Sequence, residues 1–313
     1  MKISLISLIG TGLMVLTLTA GSVAAQPSSA PDAGAAGPEP GAAAPAVDAP
    51  TATAGRIALQ GAVNVRDIGG YRTYDGKTVK AGKAIRADSL EKLTDADIRT
   101  LAGLGLQAAV DLRTPGEVQF AGPDKLPPGV PSVARPIDDT GLFQQMMTVI
   151  RSGDPQQQEA VLGNGGAERI MQNVYRSFLS DDSRAKFAQT VRDLATTGKP
   201  TLYHCTAGKD RTGWLTYVVL RAVGVPEPVA RQDYLLSNQY RAAADAALRD
   251  QVRRAGLMQN PNLLIPLQEV RTDYLDTTLR QLEQTYGDFG KFLTQGLNLT
   301  PATIVELRKN LVG

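Results

Sequence analysis

The chain has one cysteine and one histidine, and they are neighbours. His204 and Cys205 open the segment His-Cys-Thr-Ala-Gly-Lys-Asp-Arg-Thr-Gly, which ends at Gly213 and puts five residues between Cys205 and Arg211. A short apolar run, 201–204, precedes it, and an apolar helical stretch, 211–223, follows. A loop between the carboxyl end of a strand and a helix N-terminus aims its backbone N–H groups at an anion. A loop of this length wraps the oxygens of a phosphoryl group. The cysteine sulfur then forms the floor, and Arg211 returns at the rim as a planar two-pronged donor. Gly208 permits the tight turn. The positive field of such a cradle favours a thiolate, so Cys205 is expected to be a nucleophile. Thr206, Ala207, Gly208 and Lys209 are expected to bind the phosphoryl oxygens, and Thr212 to hydrogen-bond the sulfur. His204 is expected to orient the loop and not to act as a base.

Attack by sulfur on phosphorus also needs an acid for the leaving oxygen. Three placements are open. Asp111 ends a buried strand expected to lie beside the cysteine strand, where it can serve the pocket or pair with Arg66 or Arg113. Asp138 and Asp139 follow the next strand, and Asp210 lies inside the cradle itself. Lys209 adds a second cation, which suits a substrate bearing more than one phosphate. Arg66, with Asp67 before a glycine pair, is expected in the pocket wall as a substrate ligand. The cradle's own positive charge leaves no role for a metal or another cofactor.

The elements that must hold these residues alternate between strands and helices. Strands are expected at 57–59, 106–112, 132–137 and 201–204, with a hairpin at 71–79 around Asp75-Gly76. Thr94 with Asp97 and Thr114 with Glu117 read as capping boxes, the second with Pro115 at the first helical position. Helical periodicity covers 167–179, 183–194 and 211–223, and most of 226–311. No motif is assigned to 136–172. This order predicts an α/β fold: a central, mostly parallel sheet flanked by helices, the phosphate loop between a strand and a helix, and a helical C-terminal extension. The extension reads as a packed bundle, with a lid or a partner surface as the other possibilities. Trp214 is expected in the core.

The segment from His204 to Gly213 resembles the signature of the Cys-x5-Arg tyrosine and dual-specificity phosphatases. Its internal Ala-Gly-Lys-Asp is most similar to an atypical bacterial branch that includes a secreted mycobacterial enzyme. Residues 64–90, 93–118 and 233–238 resemble that branch too, so the similarity spans most of 56–313. The resemblance implies a cysteinyl-phosphate mechanism with Cys205 as nucleophile and Arg211 on the equatorial oxygens. It implies a phosphorylated protein or phospholipid as substrate, phosphoinositides being suggested by Lys209. It places Asp111 near the active site, Asp138 and Asp139 where related enzymes carry a mobile acid loop, and Asp210 within the signature. A sulfurtransferase and a non-catalytic phosphate-binding module are the alternatives. The spacing to Arg211 and the presence of both Cys and Arg rank them lower.

Composition narrows the setting. The 313 residues are 42% hydrophobic and 20% charged, as in globular proteins. Lys and Arg number 33 against 31 Asp and Glu, with no basic block, so nucleic acid is not an expected partner. A single Cys and a single His preclude an intrachain disulfide and a Cys- or His-rich metal site. Lys2, an apolar run over 3–20 and small residues up to Ala25 read as a signal peptide over 1–25. A membrane anchor that stays uncut is the rival, but the flanks favour cleavage, export to the periplasm or medium, and no stable membrane insertion afterwards. Of the thirty residues 26–55, eleven are Ala, six Pro and four Gly, which reads as a disordered linker. The catalytic domain is expected to be 56–313.

Overall fold

The computed structural model describes residues 55–313. The expected signal peptide and all of the linker except Gly55 lie outside the described residues. Five strands form one sheet: β1 (Arg66–Asp67), β2 (Ala84–Ala87), β3 (Ala108–Asp111), β4 (Ser132–Ala134) and β5 (Thr201–His204). Their order is β1-β2-β5-β3-β4; β1 pairs antiparallel with β2, and every other pairing is parallel. Strand β5 is therefore central, flanked by β2 and β3. The register sets Ala87 and Asp111 on either side of His204, so three strands end level where the cradle begins. In open α/β sheets this carboxyl edge is where ligands bind.

The helices, in chain order, are α1 (Asp95–Ala102), α2 (Pro115–Ala121), α3 (Leu142–Ser152), α4 (Pro155–Leu162), α5 (Gly166–Ser177), α6 (Asp181–Thr196), α7 (Arg211–Ala222), α8 (Glu227–Arg254), α9 (Ile265–Gln268), α10 (Thr272–Tyr286), α11 (Phe289–Lys291) and α12 (Pro301–Leu311). Both expected capping boxes form. Thr94 and Asp97 exchange bonds at the head of α1, and Thr114 and Glu117 do so at the head of α2. Each satisfies two N–H groups that a helix start leaves orphaned.

Strand side chains alternate between two cores. Ala84, Val110 and Tyr203 face the larger one, with Trp214 of α7, Phe187 of α6 and Tyr175 of α5. Ile85, Ala109 and Leu202 face the smaller one, with Leu101 of α1 and Val65. Helix α7 is buried nearly all round, which explains its continuous apolar sequence. A third cluster joins Val149 and Ile150 of α3 and Leu162 of α4 to Val252 near the end of α8. The stretch without a motif, 136–172, thus supplies two helices that brace the far end of the long α8. No described helix is long and apolar enough to cross a membrane.

Some boundaries differ from expectation. At 57–59 there is no strand, only a single bridge between Arg56 and Arg66. The strand expected over 132–137 stops at Ala134, before Pro136, which has no N–H to donate. The hairpin at 71–79 keeps its turn, Gly76 at φ +79°, but pairs through a single bridge. Strand β2 was not foreseen; its sequence, Ala-Ile-Arg-Ala, has one β-branched residue.

Candidate active site

The loop after β5 is built as an anion cradle. Three successive carbonyls of the loop are engaged from outside. Ser89 N–H donates to Thr206 O (3.2 Å), Asn64 Nδ2 to Ala207 O (3.1 Å) and Gly208 O (3.0 Å), and Arg86 Nη2 to Gly208 O (2.8 Å). With the carbonyls held outward, the N–H groups turn the other way. Those of Thr206, Ala207, Gly208, Lys209 and Asp210 donate to no acceptor among the described residues. Gly208 has φ +63°, and a Cβ there would lie 2.4 Å from the Ala87 carbonyl oxygen. The position is closed to other residues by conformation and by space. Cys205 is 2% exposed at the foot of this loop.

Arg211 stands at the N-terminus of α7, and its donors divide cleanly. Nη1 and Nη2 both bond the Glu117 carboxylate, and Nη1 also reaches Leu112 O at 3.2 Å. A guanidinium has five N–H groups. Nε–H and the second Nη2–H, which lie side by side, are left as a fork for two phosphoryl oxygens. Glu117 fixes the direction of that fork. It also accepts Thr206 Oγ1 and the Thr114 N–H (2.7 Å), so one carboxylate caps α2, orients Arg211 and pins the first cradle residue. Burial disfavours its charge, but Arg211 and Thr206 outweigh that and hold its pKa at about 2. In return, against the effect of burial, Glu117 raises the Arg211 pKa further.

Behind the cradle lies a buried polar layer. Arg66 Nε and Arg86 Nη1 bond the two oxygens of Asp233 at 3.0 and 2.7 Å, with all three side chains sealed from solvent. Burial opposes the charge on Asp233, yet Arg66 and Arg86 keep its carboxyl below the usual range. Arg66 Nη1 donates to Asn64 Oδ1 at 2.6 Å. Arg66 is expected in the pocket wall as a substrate ligand. It sits one layer back, is 1% exposed, and reaches the loop through Asn64 and, by way of Asp233, through Arg86. Asp88 accepts the Val63 and Asn64 N–H groups, which fixes the turn that carries Asn64. Burial raises the Asp88 pKa.

The acid candidates occupy distinct settings. Both oxygens of Asp111 bond Arg113, at 3.0 and 2.8 Å, so it makes the ion pair that was its other reading. Arg113 also holds Asp124 at 2.7 Å, and Asp124 holds His204 Nε2 at 2.9 Å. Burial works against the charge of Asp124, but His204 and Arg113 keep its carboxyl below the usual range. Asp111, Asp124 and His204 are close enough to suggest a metal set, but Arg113 already spans the two carboxylates. His204 ties the segment after α2 to the cradle strand. Asp138 is exposed and accepts the Thr140 N–H. Asp139 is buried and caps α3 through the Gly141 and Phe143 N–H groups, both at 3.0 Å. Asp210 lies in the cradle with 15% of its side chain exposed, held by Lys209 Nζ at 2.8 Å and the Tyr175 hydroxyl at 3.0 Å. The Lys209 ammonium is nearly buried against Asp210 and the Glu269 carbonyl, at 3.3 Å. Thr212 is buried, and among the described residues its hydroxyl has no hydrogen-bond partner, the Cys205 sulfur included.

The structure therefore brings together Cys205, the cradle N–H groups, Arg211 and Asp210, and sets Asp111 and Arg66 in supporting ion pairs. It adds Glu117, Asn64, Arg86 and Asp233. For Glu117 there was a signal, an acid three residues after Thr114 on the helix following the strand beside the cysteine. Its second role was hidden by the cap.

A model of the tyrosine phosphatase family matches residues 57–313. The chain is similar to the triple specificity protein phosphatase PtpB of Mycobacterium tuberculosis, 29% identical over 276 residues, covering 82% of this chain and 98% of that one. It is similar also to a putative tyrosine-protein phosphatase of Cupriavidus necator, 33% identical over 244 residues, covering 77% of this chain and 84% of the relative.

Proposed function

The chain belongs to the tyrosine phosphatase family and is a phosphatase of the tyrosine and dual-specificity kind; we propose that it works through a cysteinyl-phosphate on Cys205, with Asp210 as its general acid and base. One observation carries this reading. The N–H groups and the Arg211 donors that no described residue engages belong to one loop, the loop that begins with the buried Cys205.

The Cys205 thiolate attacks phosphorus in line, forming the S–P bond as the bond to the leaving oxygen breaks. Charge on the equatorial oxygens is met by the N–H groups of Thr206, Ala207, Gly208, Lys209 and Asp210 and by Arg211. Asp210 gives its proton to the leaving oxygen. It then takes one from water, whose oxygen bonds phosphorus as the S–P bond breaks, and inorganic phosphate departs. Asp210 is preferred because it lies within the cradle loop itself, partly exposed and paired there with Lys209, whereas Arg113 holds Asp111 outside the loop, Asp139 caps α3 and Asp138 bonds the Thr140 N–H on the segment before α3.

The substrate class is phosphorylated protein; phosphoinositides are a further class for the test, and the cation expected to serve them, Lys209, is already paired with Asp210 and the Glu269 carbonyl. The relative from Mycobacterium tuberculosis carries triple specificity in its name, which favours a broad range here. The test uses the full chain and Cys205→Ser with a phosphotyrosine peptide, a phosphoserine peptide, phosphoinositides and phytate. Turnover by the wild type alone supports the reading; equal turnover by both sinks it. We further propose that 1–25 is cleaved as a signal peptide, that 26–55 is a linker to a catalytic domain at 56–313, and that the protein is exported. N-terminal sequencing of the protein from periplasm and medium tests this, with Gln26 expected first and Met1 contradicting it.

A further inference from the structure

Two buried phenols stand between the cradle and the helical extension. The Tyr175 hydroxyl, on α5, lies 3.0 Å from Asp210 Oδ1 and 2.6 Å from the hydroxyl of Tyr234 on α8. Tyr234 in turn lies 3.3 Å from the Arg271 carbonyl, just before α10. Both rings are sealed in the core, Tyr175 against Phe178 and Tyr274. Burial, with the charge of Asp210 second, raises both phenol pKa values, so each hydroxyl keeps its proton.

The chain offers three contacts and two phenolic protons, since each hydroxyl donates once. When Asp210 is ionised, Tyr175 donates to it and Tyr234 donates to Tyr175, leaving the Arg271 carbonyl to the Tyr274 and Leu275 N–H groups at the head of α10. When Asp210 is protonated, Tyr175 is free to donate to Tyr234, and Tyr234 to Arg271. The pair thus matches both states that a general acid and base must pass through, and neither hydroxyl is stranded in the core. The same short segment receives the other neighbour: Lys209 Nζ reaches the Glu269 carbonyl, and Val270 between them is clipped by Asn238 at 2.7 and 2.8 Å.

We propose that Tyr175 and Tyr234 are positioning residues for Asp210, a two-hydroxyl relay that rearranges its hydrogen bonds as Asp210 gains and loses its proton and anchors that change to the Glu269–Val270–Arg271 segment. This rests on Asp210 being the acid, and the test separates the two claims.

The experiment measures kcat/KM, which reports the first irreversible step, for the full chain on aryl phosphates. Their leaving phenols range from acidic (dinitrophenyl) to basic (phenyl, tyrosyl). Asp210→Asn is expected to lose on the order of 100-fold or more on basic leaving groups and little on acidic ones. Tyr175→Phe should show the same selectivity with a loss of about tenfold, the worth of one hydrogen bond to a charged group. Tyr234→Phe should show it more weakly. Inhibition by inorganic phosphate should change less than about twofold in both Phe variants, since no cradle group is touched. A Tyr175→Phe loss that is equal across all leaving groups marks a structural role and overturns the relay, as does no loss at all. If Asp210→Asn itself shows no leaving-group selectivity, the acid assignment falls and the relay with it.

Discussion

Glu117→Gln is the perturbation whose cost follows most directly from the geometry. The carboxylate accepts Arg211 at both oxygens, the Thr206 hydroxyl and the Thr114 N–H. Its pKa falls from 4.5 to about 2 despite burial. At about 1.4 kcal/mol per unit, this is about 3 kcal/mol of preference for the folded, ionised state. The known cost of breaking a buried ion pair, about 3–5 kcal/mol, agrees. For a domain of this size the melting temperature should fall by about 6–12 °C at pH 7. The sign of the pH dependence follows from the depressed value. The stabilisation is complete above the unfolded value near 4.5 and disappears as pH falls toward 2, so the gap between wild type and variant should narrow across that interval. Activity should fall further than stability suggests. Without its partner the Arg211 fork is misdirected, and losing one oxyanion donor costs about 100- to 1,000-fold in kcat. The assays are thermal unfolding between pH 2 and 7 and steady-state kinetics on a phosphotyrosine peptide. A variant with a melting temperature within about 1 °C of wild type and unchanged kcat would refute the reasoning.

Other consequences are equally checkable. Gly208→Ala sets a Cβ against the Ala87 carbonyl in a left-handed conformation, so it should weaken phosphate inhibition and cost at least about 1–2 kcal/mol by chemical denaturation. Asp233→Asn leaves Arg66 and Arg86 buried with no carboxylate, and a loss of about 3–5 kcal/mol in urea unfolding is expected. Chelation by EDTA should leave turnover unchanged, because Arg113 already satisfies Asp111 and Asp124; a loss restored by a divalent cation would show that these carboxylates do hold a metal.

What the sequence made legible was local. The cradle fits in ten consecutive residues, so strand, loop, glycine, arginine and helix could be read together from His204 to Gly213. The capping boxes are local too, and both form. What stayed hidden depends on pairing across long separations. Glu117 and Arg211 are 94 residues apart, and Arg66 and Asp233 are 167 apart. Nothing in either neighbourhood announces the partner. Strand β2 escaped notice because its sequence is poor in β-formers and its place between β1 and β5 stabilises it. Helices α3 and α5 start after glycines in left-handed conformation with no side-chain cap bond, so the usual start signals are missing there. For α3 the capping comes from Asp139, two and four residues upstream of the N–H groups it accepts. From the sequence that carboxylate reads equally as an acid, because position along the chain cannot show which way it points.

The most direct test of the central claim is to quench a single turnover of the full chain on a phosphotyrosine peptide in acid and map the phosphoryl group by mass spectrometry. It should appear transiently on Cys205 in the wild type and accumulate in Asp210→Asn given dinitrophenyl phosphate, whose acidic leaving group needs no proton donor, because hydrolysis of the intermediate then lacks its base. Turnover with no phosphoryl group on Cys205 in either protein, or undiminished turnover by Cys205→Ser, would contradict it.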